Sequence, residues 1–402
     1  MTKRIAFVVN TLSNGGAERT ISNITNNLPD EYKVDIIINE DNAISYPVKG
    51  DVLSLGLNPQ TDKLKFSYQV KLILKRIVAL RKLKKQNHYL AVISFSESAS
   101  IANILSGKRY CKTIISVRIN LSGCINSKLY KFLGFPAVKL LYNHADRIIA
   151  VSEGVRLDLI ENFGIKTDKV VTIPNGCDID IIKEKAKMDT DGSVNKIFSG
   201  CKVIATMGRL DYQKGQWHLI KAIRKVVDDG FDIRLIIIGQ GKYREFLEEV
   251  VADNSLKDYV FFLGFQQNPF SIIAKSDIYV LPSIYEGMGN SLIEALACGL
   301  PCISTDHASG AREILAPETN VKNKAIDIEY AEYGILTPVC DGKYDKEKPL
   351  SNEEILLASA IEKMLDDEEL RNKYVCNAST RATAMNIVAT SQLWVREFEY
   401  QN

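Results

Sequence analysis

Residues 276–306, SDIYVLPSIYEGMGNSLIEALACGLPCISTD, decide how the rest of the chain is read. Residues 277–282 form a short apolar run rich in β-branched and aromatic side chains, which predicts a buried strand. The loop after it holds Glu286 between Tyr285 and Gly287. Gly287 and Gly289 make a helix through this loop costly and let its backbone approach a ligand closely. A helix is then expected to open near Asn290 or Ser291, run through LIEALAC and stop at Gly299, with Pro301 just beyond. Residues 302–305 read as a second short strand that ends at Asp306.

Two carboxylates, Glu286 and Glu294, therefore flank one helix N-terminus. Unpaired backbone N–H groups and the positive end of the helix dipole make such a terminus a place for phosphate. Each acid also has a plainer reading. Ser291-x-x-Glu294 is a capping box, in which Glu294 only satisfies a backbone donor. Glu286 has no comparable structural job, and its plainer alternative is a solvated loop acid.

The phrase YEGMGNSLIEALACGLPCIST, with Glu286-x7-Glu294 directly after a strand, resembles the signature of the family-4 retaining glycosyltransferases with the GT-B fold. The resemblance covers most of the chain and implies an α/β architecture. Two Rossmann-like domains with parallel sheets would face each other across a cleft, the second holding most of the donor.

The rest of the C-terminal half restarts the α/β rhythm. Residues 203–207 read as a strand, and GRLDYQKG leads from it into a helix. Arg209 and Lys214 thus sit at a carboxyl edge, where a forked guanidinium and a point-charge ammonium suit a diphosphate. The alternative is a solvated loop. Gly208, Arg209, Leu210, Lys214 and Gly215 match the family's Gly-Arg-Leu…Lys-Gly pattern, which implies the phosphate role. Gly239-x-Gly241 imitates a dinucleotide fingerprint, but Arg244 stands where its third glycine belongs, so a tight turn is expected. After a strand at 260–263, the resemblance implies a nucleobase-holding backbone with Phe265 as a candidate contact.

In the N-terminal half, residues 4–9 read as strand one and TLSNGGAER as the turn into a helix. No G-x-x-x-x-G-K-[ST] is present, which excludes a P-loop. A plain βα turn accounts for the glycines, while the resemblance implies that Gly15 and Gly16 face the donor phosphates. Strands at 90–95 and 113–117 place Glu97 and Arg118 at carboxyl ends, where open α/β sheets hold ligands. Arg118 stands in a stretch where many relatives carry a histidine, and Glu97 and Arg118 are the acceptor-side candidates. Residues 63–85, KLKFSYQVKLILKRIVALRKLKK, hold nine basic residues and no acid. Phe66, Val70, Ile73, Ile77 and Leu80 recur at helical spacing. This predicts an amphipathic helix with an apolar face inward and lysines outward. Such a cationic face suits an anionic membrane surface or a lipid pyrophosphate.

At 402 residues the chain exceeds what one core supports. The expected division is an acceptor-side domain at 1–180, a nucleotide-sugar domain at 195–380, and a final helix within 381–402 that crosses back. The polar stretch 181–200 reads as a linker, and Asp178-Ile179-Asp180 as a chance D-x-D. A net charge of +2 gives no case for nucleic acid. Eight cysteines without a C-x-x-C pair read as reduced thiols of a cytosolic protein. MTKRIAFVVNTL is a first strand rather than a signal peptide, and no stretch reaches the roughly 18 apolar residues of a membrane span. The expected location is cytoplasmic, with peripheral attachment at the inner face of the membrane as the expectation of the basic helix.

The resemblance implies retaining transfer of a hexose or N-acetylhexosamine from a UDP-sugar, with no cofactor and no metal. SGAREIL and GILTP resemble a subgroup that builds bacterial surface or lipid-linked glycans, which implies a lipid-linked saccharide acceptor. Arg209 and Lys214 would neutralise the leaving diphosphate, and Glu286 would hold a donor-sugar hydroxyl near the reacting carbon. Glu294 would bind the ribose, with Gly287, Met288, Gly289, Asn290, Ser291 and Leu292 lining the donor. Two other readings stand beside this one: a UDP-sugar epimerase of the same fold, and a non-catalytic nucleotide-sugar-binding protein.

Overall fold

The computed structural model describes residues 2–13, 15–40, 44, 46–57, 66–123 and 134–400. The chain divides into two compact units: Met1–Gly176 with Ile387–Asn402, and Cys177–Asn386.

The first unit is built on seven strands: β1 (Lys3–Val8), β2 (Tyr32–Ile38), β3 (Asp51–Ser54), β4 (Ala91–Phe95), β5 (Lys112–Val117), β6 (Arg147–Ala150) and β7 (Val170–Thr172). They lie in the order β3-β2-β1-β4-β5-β6-β7 and every pair is parallel. Period-two alternation splits the strands between two cores. Ile5, Phe7, Ile36, Ile93 and Phe95 face the helices Gly16–Asn26 and Ile387–Glu399, while Ala6, Val8, Ile37 and Val92 face Phe66–Asn87 and Glu97–Leu105. The helix at the end of the chain belongs to this unit because it fills that core. Trp394 stacks on Phe95 with centroids 5.8 Å apart, and Phe398 meets Phe7 edge-on at 6.2 Å.

The second unit repeats the plan with β8 (Lys202–Met207), β9 (Ile233–Ile238), β10 (Val260–Gly264), β11 (Ile278–Leu281), β12 (Cys302–Thr305), β13 (Glu329–Tyr330) and β14 (Ile335–Thr337). Their order is β10-β9-β8-β11-β12-β14-β13, all parallel except the β13–β14 pair. In both units the strand order reverses beside the first strand, between β1 and β4 and between β8 and β11. Such a reversal opens a crevice at the carboxyl ends of the strands.

Two expectations are corrected here. The supposed linker at 181–200 is largely helical: Ile179–Ala186 is capped by Asp178, whose carboxylate accepts from the Ile181 amide at 3.1 Å. Only Ile179 and Ile182 of this helix are buried, so its apolar signal is two residues in a polar stretch. The basic helix is real and turns Leu80 inward with Ile77 packed beside it, but its cations are not all outside. Phe66–Asn87 buries Leu80 together with Arg76 and Lys84, and leaves Val70, Leu74 and Val78 outside at 40%, 57% and 70% exposure. Arg76 donates to the Val9 carbonyl and the Asn10 side chain, and Lys84 to the Asn103 and Gly107 carbonyls and the Thr113 hydroxyl. These bonds keep both cations inside. Positions 63–65 of that stretch lie outside the described residues. Among the described residues no helix is long and apolar enough to cross a membrane.

Candidate active site

The site in the second unit is assembled from the two loops that flank its strand-order reversal. One follows β8 and carries Arg209, Gln213 and Lys214; the other follows β11 and carries Ser283 and Glu286. Tyr279 of β11 ties the two strands together, since its hydroxyl bonds both the carbonyl and the amide of Met207. The loops then lock main chain to main chain. The Ile284 amide donates to the Gln213 carbonyl at 2.9 Å. Gly215, at φ +59, passes so close to Pro282 that a Cβ there would fall 2.4 Å from its carbonyl oxygen.

Glu286 is buried, and three groups donate to it. Lys214 Nζ lies 2.5 Å from Oε1, the Ser283 hydroxyl 2.9 Å from the same oxygen, and Gln213 Nε2 2.7 Å from Oε2. Burial pushes the carboxyl up, but the Lys214 ammonium, the nearby His307 and the Ser283 hydroxyl outweigh it, and Glu286 titrates below its usual range. Arg209 is the accessible cation, its side chain 64% exposed beside Asp211 at 3.4 Å. Its guanidinium donates to Gln213 Oε1, also at 3.4 Å, so Gln213 stands between Arg209 and Glu286.

The loop after β12 closes the other side. The Ser309 hydroxyl donates to the Glu286 carbonyl at 2.7 Å, and the Thr305 hydroxyl to the Ser283 carbonyl at 2.5 Å. His307 is 2% exposed, and burial pushes its imidazole below the usual range against the pull of Glu286. Arg312 pins the same loop through Asp306, Nη2 to Oδ2 at 2.6 Å, and reaches Glu329 at 2.7 Å.

The helix after Glu286 spans Asn290–Ala297, and Gly289 at φ +83 is its N-cap. This removes the capping-box alternative, because the N-cap is Gly289 and Ser291 lies inside the first turn. Gly287, Met288 and Gly289 are buried in the loop, Asn290 is half-buried, and Ser291, Leu292 and Glu294 are buried in the helix. Phe265 stands apart at the sheet edge, just past β10, and is 53% exposed.

The first unit holds the remaining candidates. Gly16 opens the helix Gly16–Asn26 and Gly15 caps it, but the Glu18 carboxylate folds over Gly15, where a built Cβ would fall 2.0 Å from Oε2. An acid thus already lies at the terminus expected to take phosphate. Glu97 opens the helix Glu97–Leu105 after Ser96, whose φ of +86 is strained for a residue with a side chain. Arg118 donates to Asn175 and Thr20, lies over the Phe95 ring, and has no carboxylate within ion-pair distance among the described residues. Burial pushes its guanidinium pKa down.

Reasoning from sequence missed Gln213, Ser283, His307 and Ser309. Gln213 and Ser283 carry no charge and lie inside the segments already singled out. His307 is a lone histidine directly after β12, and that position at a carboxyl edge is the one signal that points to it. No group of three or more His, Cys, Asp or Glu among the described residues could hold a metal ion.

Against known proteins, residues 14–181 match the model described as Glycosyltransferase Family 4, and residues 188–329 that of Glycosyl transferases group 1. An uncharacterised glycosyltransferase of Methanocaldococcus jannaschii is 33% identical over 80% of this chain and 82% of its own. A Campylobacter jejuni relative, named N-acetylgalactosamine-N,N'-diacetylbacillosaminyl-diphospho-undecaprenol 4-alpha-N-acetylgalactosaminyltransferase, is 28% identical over 96% of both chains. Among solved structures, HepE of Anabaena in complex with UDP and glucose superposes with a TM-score of 0.73 at 19% identity, covering 99% of both chains. Two doubly wound parallel sheets, a basic loop and an acidic loop meeting at the reversal of the second, and these likenesses together make the chain a member of the family-4 (group 1) glycosyltransferases with the GT-B fold.

Proposed function

We propose that this glycosyltransferase moves a hexose or N-acetylhexosamine from a UDP-sugar, with retention, onto a lipid-linked saccharide in bacterial cell-surface glycan synthesis. The observation that carries the reading is the convergence of Arg209 and Lys214 with Glu286 and the start of the Asn290–Ala297 helix at the β8/β11 reversal. Negative charge grows on the diphosphate as the glycosidic bond breaks, and prearranged cations and backbone N–H groups stabilise that transition state more than the ground state. With both cations at the phosphates, the reaction proceeds without a metal. Glu286 accepts a hydrogen bond from a donor-sugar hydroxyl, and Glu294 from the ribose. The Campylobacter relative's name, with its diphospho-undecaprenol acceptor, supports a lipid-linked saccharide and makes UDP-N-acetylgalactosamine the first donor to test. Glu97 and Arg118 of the first unit are the acceptor-side candidates, and the cationic outer face of Phe66–Asn87 brings the enzyme to an anionic membrane.

The test is transfer from a panel of UDP-sugars to an undecaprenyl-diphosphate-linked saccharide in the presence of EDTA, with the anomeric configuration of the product read by NMR. An α-linked product from an α-linked donor is expected. An inverted product, dependence on added divalent metal, or epimerisation of the donor without acceptor would each overturn the corresponding part.

A further inference from the structure

The ion pair between Lys214 and Glu286 poses a chemical problem for the reading above. The ammonium that is to meet the diphosphate is already neutralised, 2.5 Å from Glu286 Oε1. As Lys214 turns toward phosphate, Glu286 loses its charged partner while it must stay in place for the sugar. Ser283 remains on Oε1, but one bond to one oxygen leaves a carboxylate free to rotate about it.

The group that fixes the other oxygen is Gln213, whose amide donates to Oε2 at 2.7 Å. It is neutral, so diphosphate does not draw it away as it draws the lysine. Its backbone is anchored independently, since its carbonyl accepts from the Ile284 amide at 2.9 Å. Its own side-chain oxygen accepts from one N–H of Arg209 at 3.4 Å, which orients the amide with N–H toward Glu286 and leaves the guanidinium's other donors for phosphate. We infer that Gln213 is a positioning residue. It holds the plane of the Glu286 carboxylate for the donor sugar while Lys214 and Arg209 engage the diphosphate, and it leaves the remaining lone pair of Oε2 for a sugar hydroxyl.

This inference rests on the donor-site reading, and the experiment separates the two. Titration calorimetry of the wild type with UDP tests the reading alone: no binding sinks it whatever Gln213 does. Q213L keeps the size of the side chain and removes both hydrogen bonds, and Q213E puts a second carboxylate against Glu286. With UDP-N-acetylgalactosamine as donor, Q213L is expected to lower kcat about ten-fold. Donor KM and UDP affinity should stay within about two-fold, and the acid limb of the kcat/KM profile should move to higher pH. Q213E should move that limb further, because a like charge disfavours ionisation of Glu286. A wild-type profile in Q213L overturns the inference. So does a drop in kcat with the acid limb unmoved, which marks a merely structural role. A double-mutant cycle of Q213L with E286Q on thermal stability probes the same contact without turnover. Coupling between the two is expected, and additivity overturns the proposal.

Discussion

Lys214 and Glu286 pair across the strand-order reversal of the second unit, Nζ to Oε1 at 2.5 Å, with side chains only 14% and 9% exposed. Truncating the lysine leaves a buried carboxylate with hydroxyl and amide donors but no counter-charge. K214A is therefore expected to lose on the order of 3 kcal/mol of stability, and K214A/E286Q to recover most of it. Urea unfolding of the three proteins measures this. Activity should not follow stability: kcat should fall roughly 10²–10³-fold in K214A and stay low in the double variant, because the cation proposed to meet the diphosphate is absent from both.

The same cluster is expected to give stability a two-step pH dependence. His307 has a pKa below its ordinary value of 6.5 in the native state. The unfolded chain therefore takes up a proton that the native chain refuses, and stability declines as pH falls below that value. Glu286 titrates below its ordinary 4.5, so its contribution is full above that pH and is lost as pH falls through the lower native value. Both slopes have the same sign but begin about two pH units apart, given the reference values of the two side chains. Denaturant midpoints should show H307Q flattening the upper step and E286Q the lower one. If H307Q leaves the upper slope unchanged, a different group is responsible for it.

Arg312 organises the loop that carries His307. Its guanidinium, 3% exposed, meets Asp306, which is 2% exposed and also accepts from the Ala325 amide at 2.7 Å. R312A strands a buried carboxylate and is expected to lose about 3–5 kcal/mol. R312K should recover only a small part, since one ammonium cannot reproduce forked contacts to both Asp306 and Glu329. Thermal unfolding of the pair of variants gives the comparison.

How much of this was legible depends on whether the signal is local. The strand, loop and helix of 276–306 follow from neighbouring residues, and glycines at 287 and 289 mark the loop between them. The contact of Gln213 with Glu286 does not, because it needs β8 beside β11, and strand order is a property of the whole sheet. His307 reaches the site by the same route, through β12. The helix Phe66–Asn87 was legible only in part, for another reason. Helical spacing offers two apolar stripes there, one with Ile73, Ile77 and Leu80 and one with Val70, Leu74 and Val78. Charge does not choose between them, since Arg76 and Lys84 are buried on carbonyl and side-chain oxygens.

The outer face of that helix shapes what membrane binding should look like. Its outer face carries Val70, Leu74 and Val78 among the exposed Lys71, Lys75, Arg81, Lys82 and Lys85, with no acid. A purely cationic face would bind anionic lipid through charge alone and release it fully at high salt. An apolar stripe set among the cations adds burial at the headgroup boundary, which salt does not screen. Flotation with phosphatidylglycerol-containing vesicles is therefore expected to show binding that weakens with salt but persists in part. L74S/V78S should abolish the salt-resistant fraction, and K71Q/K75Q/K82Q the salt-sensitive one. Both variants should keep wild-type transfer to a water-soluble acceptor analogue, because none of these side chains is among the donor-side or acceptor-side candidates. Equal binding to vesicles of neutral lipid, or vesicle binding unchanged in both variants, would show that this face is not what meets the membrane.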